Sequence, residues 1–108
     1  MPRYLYQVAY TPENWAAQLK DPQNRIEKIR PSVEQLGGKI VDAYYMFGEY
    51  DIFVILDMPD NASAAAFAIA VAGGGAVKAA KTTPLMSIDE GIEAIRKGAQ
   101  SGYRPAGR

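Results

Sequence analysis

Residues 3–10, Arg-Tyr-Leu-Tyr-Gln-Val-Ala-Tyr, put Tyr4, Tyr6, Val8 and Tyr10 on one face of an extended chain and Arg3, Leu5, Gln7 and Ala9 on the other. Aromatic and β-branched residues at a period of two form a strand pattern. The pattern returns at 39–47 and 50–57, joined by a tight turn around Gly48-Glu49. The 50–57 segment constrains the fold most. One of its faces carries Tyr50, Ile52, Val54 and Leu56, and the other still carries Phe53 and Ile55. An antiparallel sheet with water on one side has no use for a second apolar face.

Helical signals separate the strands. Thr11-Pro12-Glu13 supplies an N-cap, a proline in the first turn and an acid at the positive end of the helix dipole. Trp15, Leu19, Ile26, Ile29, Val33 and Leu36 fall on one stripe. Asp21-Pro22 reads as a second start within that stripe, Pro31 as a kink and Gly37-Gly38 as the stop. Trp15 is expected in the core, and Arg25 and Arg30 paired with Glu27 or Glu34 or facing solvent. Pro59-Asp60-Asn61 caps an Ala-rich second helix over 61–72, and Gly73 to Gly75 end it; without a following Lys-Ser/Thr they are no phosphate loop. Residues 76–83 form a fourth strand stopped by Pro84. Ser87-Ile88-Asp89-Glu90 is a capping box opening a third helix with Ile88, Ile92, Ile95 and Ala99 at helical spacing.

The order strand, helix, strand, strand, helix, strand predicts an α+β domain of ferredoxin-like βαββαβ layout. Its antiparallel four-stranded sheet has the order 4-1-3-2, both helices lie on one face, and an extra C-terminal helix follows. One domain over 1–97 and a mobile tail over 98–108 are expected, with Tyr103 as its one possible anchor. Val41, Ala43, Tyr45 and Phe47 are assigned to the helix side, and Leu5, Ala9, Ile40, Tyr44, Met46, Phe53 and Ile55 to the opposite face. An apolar patch of that extent on a small chain marks an interface or a ligand groove. Two such sheets facing each other make a dimeric α+β barrel, so a homodimer or higher homo-oligomer is expected. The alternative is that the third helix or the tail of the same chain covers the face.

Phe47-Gly48-Glu49-Tyr50-Asp51 resembles the G-x-Y-D signature of the GYD domain family. The Pro59-Asp60-Asn61 turn, the small-residue helix Ser63 to Ala72 and the segment Lys78 to Leu85, ending Lys81-Thr82-Thr83-Pro84-Leu85, match in the same order. The resemblance covers roughly residues 3 to 97. It implies a prokaryotic α+β protein related in fold to dimeric α+β barrels, and no established activity.

Composition narrows the chemistry further. Twelve basic and twelve acidic residues cancel, which argues against a nucleic-acid partner. The chain has no His and no Cys, so the usual general base, the thiolate nucleophile and the common transition-metal ligands are missing and no cofactor or metal is expected. The Ala-rich stretch 62–72 is too short to span a membrane, where about 20 residues are needed. The chain opens directly into a strand pattern, so a cytoplasmic location is expected and no membrane partner. Gln7, Tyr44, Met46, Asp51, Phe53 and Lys81 are the candidate ligand-binding residues of a cavity at the sheet interface. Asp51, placed near Arg3 across strands one and three taken as parallel, is either a structural carboxylate at the turn or a base raised by desolvation. Lys81, with Lys78, either meets an anionic ligand or guards an edge strand. Three functions fit: a small-molecule binding or sensing module, a cofactor-free enzyme such as a monooxygenase or isomerase working with Asp, Lys or Tyr, or a structural assembly subunit.

Overall fold

The computed structural model describes residues 1–107. In chain order the elements are β1 (Arg3–Tyr10), α1 (Pro12–Lys20), α2 (Arg25–Gln35), β2 (Lys39–Tyr45), β3 (Ile52–Asp57), α3 (Asn61–Gly73), β4 (Val77–Leu85) and α4 (Ile88–Ala99). The sheet order is β2-β3-β1-β4 and every neighbouring pair is antiparallel. This is the expected ferredoxin-like α+β fold.

β1 and β3 are thus antiparallel, not parallel. In a split βαβ unit the crossover makes β1 and β2 parallel, and the hairpin inserts β3 between them in the opposite sense. Arg3 therefore sits opposite Asp57. Its guanidinium donates to both carboxylate oxygens, from Nε at 2.7 Å and from the second nitrogen at 3.1 Å. That pairing holds the Asp57 carboxyl below its ordinary range. Asp51 lies at the other end of the sheet, where its backbone N–H donates to Val8 O at 2.8 Å.

The first helical stripe is two helices. The second is capped by the Asn24 side chain, which accepts from the backbone N–H groups of Ile26 and Glu27, and not by Asp21. α1 buries nothing, and Leu19 is exposed. Trp15 is 36% exposed and lies over Tyr10 rather than in the core. α2 supplies Val33, fully enclosed, with Ile26, Ile29 and Leu36 beside it; α3 supplies Ala64 and Phe67. These pack on Tyr4, Tyr6, Val8, Ile52, Val54 and Leu56 of the central strands. The alanines of α3 let its backbone come close to the sheet at little loss of rotamer freedom.

β2 corrects the face assignment. Ile40 pairs with Leu56 and Asp42 with Ile55, so Val41 is the extra residue of a bulge. A bulge reverses the alternation on one side of itself. Ile40 turns to the helix side and packs on the core, while Val41 is exposed. Phe47 lies beyond the end of β2 and is fully exposed. Pro84 does not stop β4, which continues to Leu85 as an edge strand opposite Tyr4. An edge position tolerates a residue without a backbone N–H.

α4 has the expected capping box, with Ser87 and Glu90 satisfying each other's backbone N–H groups. It buries none of its residues; Ile88, Ile92 and Ile95 are 81%, 40% and 73% exposed. The radius of gyration is 17.4 Å and the long axis 59 Å, against about 13 Å of gyration for a compact chain of this length. α4 stands away from the sheet and does not cover it. Tyr103 beyond it is exposed and anchors nothing among the described residues.

Gly38 begins the return from α2, and a Cβ there would overlap the side chain of fully buried Met58 and lie 2.7 Å from Asp57 O. Gly38→Ala is expected to lose about 1–3 kcal/mol in urea unfolding. Gly73→Ala, at the open last turn of α3, is expected to gain up to ~1 kcal/mol.

Candidate functional site

The open face of the sheet places four of the expected ligand residues in one row. Tyr44 is opposite Phe53, Phe53 opposite Gln7 and Gln7 opposite Lys81, so the row crosses all four strands. The Tyr44 and Phe53 rings meet at 5.6 Å between centroids. The neighbouring row runs Asp42, Ile55, Leu5, Thr83. Cross-strand neighbours share a face, so the two central strands present Phe53, Ile55 and Leu5 with Gln7 among them, and the edge strands add Asp42, Lys81 and Thr83. Met46 follows β2, half-buried, with its N–H bonded to Asp51 O at 2.9 Å.

Asp51 is not part of that row. Its Oδ2 accepts from the Tyr10 N–H at 2.8 Å and from the Trp15 indole Nε1 at 3.3 Å. It ties the β2–β3 hairpin to the end of β1 and to α1. Gly48 turns that hairpin with φ of +131°, a region that favours glycine. In Gly48-Glu49-Tyr50-Asp51 the glycine makes the turn possible and the aspartate holds it against the next strand.

A second site lies on the other side of the sheet. A cavity of about 200 Å3 opens between the sheet and helices α2 and α3. Tyr6, Val54, Ile29, Phe67 and Val71 form much of its wall, and Arg25 and Asn14 also reach it. The Tyr6 ring stands edge-on to Phe67, with centroids 5.5 Å apart. Its hydroxyl is buried without a hydrogen-bond partner, and so is Arg25 Nε. Asn14 is already used: it donates to Ala76 O at 3.0 Å and accepts from Gln18 at 3.1 Å.

Burial, with Tyr10 adding to it, pushes the Tyr6 phenol up to about 12. Burial also raises the Tyr10 phenol; Tyr45 adds to the rise, and the Arg25 guanidinium beside it pulls it back. Sequence reasoning treats Tyr6 as core and Arg25 as paired with Glu27 or Glu34 or facing solvent. The available signal is the placement of polar tips, Tyr6 and Tyr10 on β1 and Arg25 at the start of α2, among side chains directed toward the core. No cluster of three or more metal-ligating acidic side chains occurs among the described residues. No helix among them is long and apolar enough to cross a membrane.

The molecule is therefore a ferredoxin-like α+β protein with one bare apolar sheet face and one small polar-tipped cavity. The chain belongs to the GYD domain family, whose model matches residues 4–95. No curated protein matches it.

Asp51→Ala strands the Tyr10 N–H and is expected to lose about 1–3 kcal/mol in chemical denaturation, with Asp51→Asn losing less because the amide keeps an acceptor. Tyr6 yields a pH test. The folded state holds that proton more tightly than the ordinary tyrosine value of 10.0, so its contribution is complete below about 10 and is lost as pH rises through about 12. Urea titrations at pH 9 and 12 should show a smaller alkaline loss in Tyr6→Phe than in the wild type.

Proposed function

We propose that the protein works as a homo-oligomer in which the open sheet face of one copy packs against a second copy and a small, partly apolar molecule is held between them. The observation that carries this reading is the unpartnered pair of apolar surfaces on one chain, the open sheet face around Tyr44, Phe53, Ile55 and Leu5 and the isoleucine stripe of α4. α1, α2 and α3 cannot serve the open face, and α4 leaves it. Such surfaces lose free energy to water in proportion to their apolar area.

The occupant is argued to be a second copy because the chain supplies both surfaces. In a two-fold pair each contact occurs twice, so one arrangement can bury both sheet faces and both α4 stripes. The formal charge of zero means that two copies do not repel each other as a whole. Gln7 and Lys81 are the polar members of the central row, and a ligand between the sheets would be oriented by them. Gln7 offers both a donor and an acceptor, and Lys81 a cation.

Sedimentation equilibrium at micromolar concentration should give at least twice the mass of one chain. Phe53→Glu, which places a charge in the middle of the contact, should give folded monomers, and Ile92→Glu should weaken association in the same assay. A wild-type protein that sediments as a single chain overturns the proposal.

A further inference from the structure

α4 repeats an apolar residue at the spacing of a helix-to-helix seam. Ile88, Ile92, Ile95 and Ala99 follow at intervals of four, three and four residues, the rhythm of coiled-coil contact positions. Asp89 and Arg96, each directly after an isoleucine, flank the seam on one side. Gly91 and Gly98, directly before Ile92 and Ala99, flank it on the other. Along the axis the charges separate, with Asp89, Glu90 and Glu93 in the first half of the helix and Arg96 and Lys97 in the second.

Among the described residues nothing covers this pattern, and α4 buries none of its side chains. A glycine inside a helix lowers its stability relative to alanine. Yet no neighbouring group stands within 4 Å of where a Cβ would be at Gly91 or Gly98. The Gly91 side opens into an apolar groove shared with Leu85 and Met86. Arg96 meets Glu93 of its own helix at 3.9 Å, with most of its side chain in water.

We propose, resting on the reading that the chain self-associates, that α4 pairs antiparallel with α4 of the second copy. A two-fold axis between Ile92 and Ile95 sets Ile92 against the partner's Ile95 and Ile88 against the partner's Ala99, each contact occurring twice. The acidic half of each helix then runs along the basic half of the other, with Asp89 beside the partner's Arg96. Glycine flank faces glycine flank, where the missing side chains let the two backbones approach. A parallel pair would set acid against acid and base against base, which costs affinity. A seam of 12 residues, about 18 Å long, is small beside a stable interface, so it adds to the sheet contact and does not replace it.

The chain has no cysteine, so introduced thiols report the pairing without interference. Full-length Ile88→Cys and Ala99→Cys are oxidised separately and as an equal mixture, and covalent dimers are measured on a non-reducing gel. In the antiparallel pair, copies of the same thiol lie about 16 Å apart along the axis, too far for a disulfide. The two different thiols share a layer. The mixture should give about tenfold more dimer than either variant alone. Single variants that equal or exceed the mixture, or no dimer in any sample, overturn the proposal. Sedimentation of the wild type separates the two failures: a single chain defeats self-association, whereas an oligomer without the mixed cross-link defeats the α4 pairing alone.

Discussion

A four-stranded sheet with its helices on one side gives its central strand two unequal faces, and everything else in this molecule follows from how β1 meets that inequality. β1 is bonded on both edges, to β3 and to β4, so its backbone polar groups are committed and only its side chains can respond. Toward the helices it presents three tyrosines and a valine, all buried. Toward the other side it presents Leu5 and Gln7, both half-buried, and Ala9, which is buried. Tyrosine on the helix side brings a large apolar body with a polar tip. The tip must find a partner or go without one, and both outcomes occur. Tyr4 bonds Asn61 at the start of α3, whereas the Tyr6 hydroxyl is buried without a partner.

The signature hairpin is the device that keeps β1 in place. Its aspartate accepts from the last N–H of β1 and from an indole on α1, while its backbone joins β2 to β1. One residue thus links three strands and a helix at the end of the sheet next to the cavity. At the opposite end the Arg3–Asp57 pair joins β1 to β3, with Arg3 half exposed to solvent; a pair so open to water adds little to stability. The two ends are held differently: one by hydrogen bonds inside the fold, one by a solvated ion pair.

Much of this was legible from residue spacing, because the strands alternate cleanly and each helix carries a cap that satisfies its first N–H groups. Gln7, Phe53, Tyr44 and Lys81 could be placed on one face by parity alone, and the registers bring them into one row. Parity failed where a bulge intervenes: nothing in Lys39-Ile40-Val41-Asp42 announces an extra residue, so Ile40 and Val41 exchange faces. It failed again at Trp15, whose apolar spacing suits a core while its indole N–H reaches a carboxylate at the surface. The cavity was not legible at all, since it depends on how far α2 and α3 stand from the sheet. Arg25 is the first residue of a helix whose start the Asp21-Pro22 pair places three residues too early, and that shift hides the direction in which its side chain points.

The identity of residue 6 then becomes informative. A phenylalanine would make the same edge-on contact with Phe67 and would leave no hydroxyl to strand, so packing alone gives no reason for tyrosine. An unpartnered buried hydroxyl costs on the order of 1–3 kcal/mol, a large fraction of the 5–15 kcal/mol that holds an ordinary domain together. Arg25 repeats the pattern, a cation with a buried Nε and no acid in the cavity beside it.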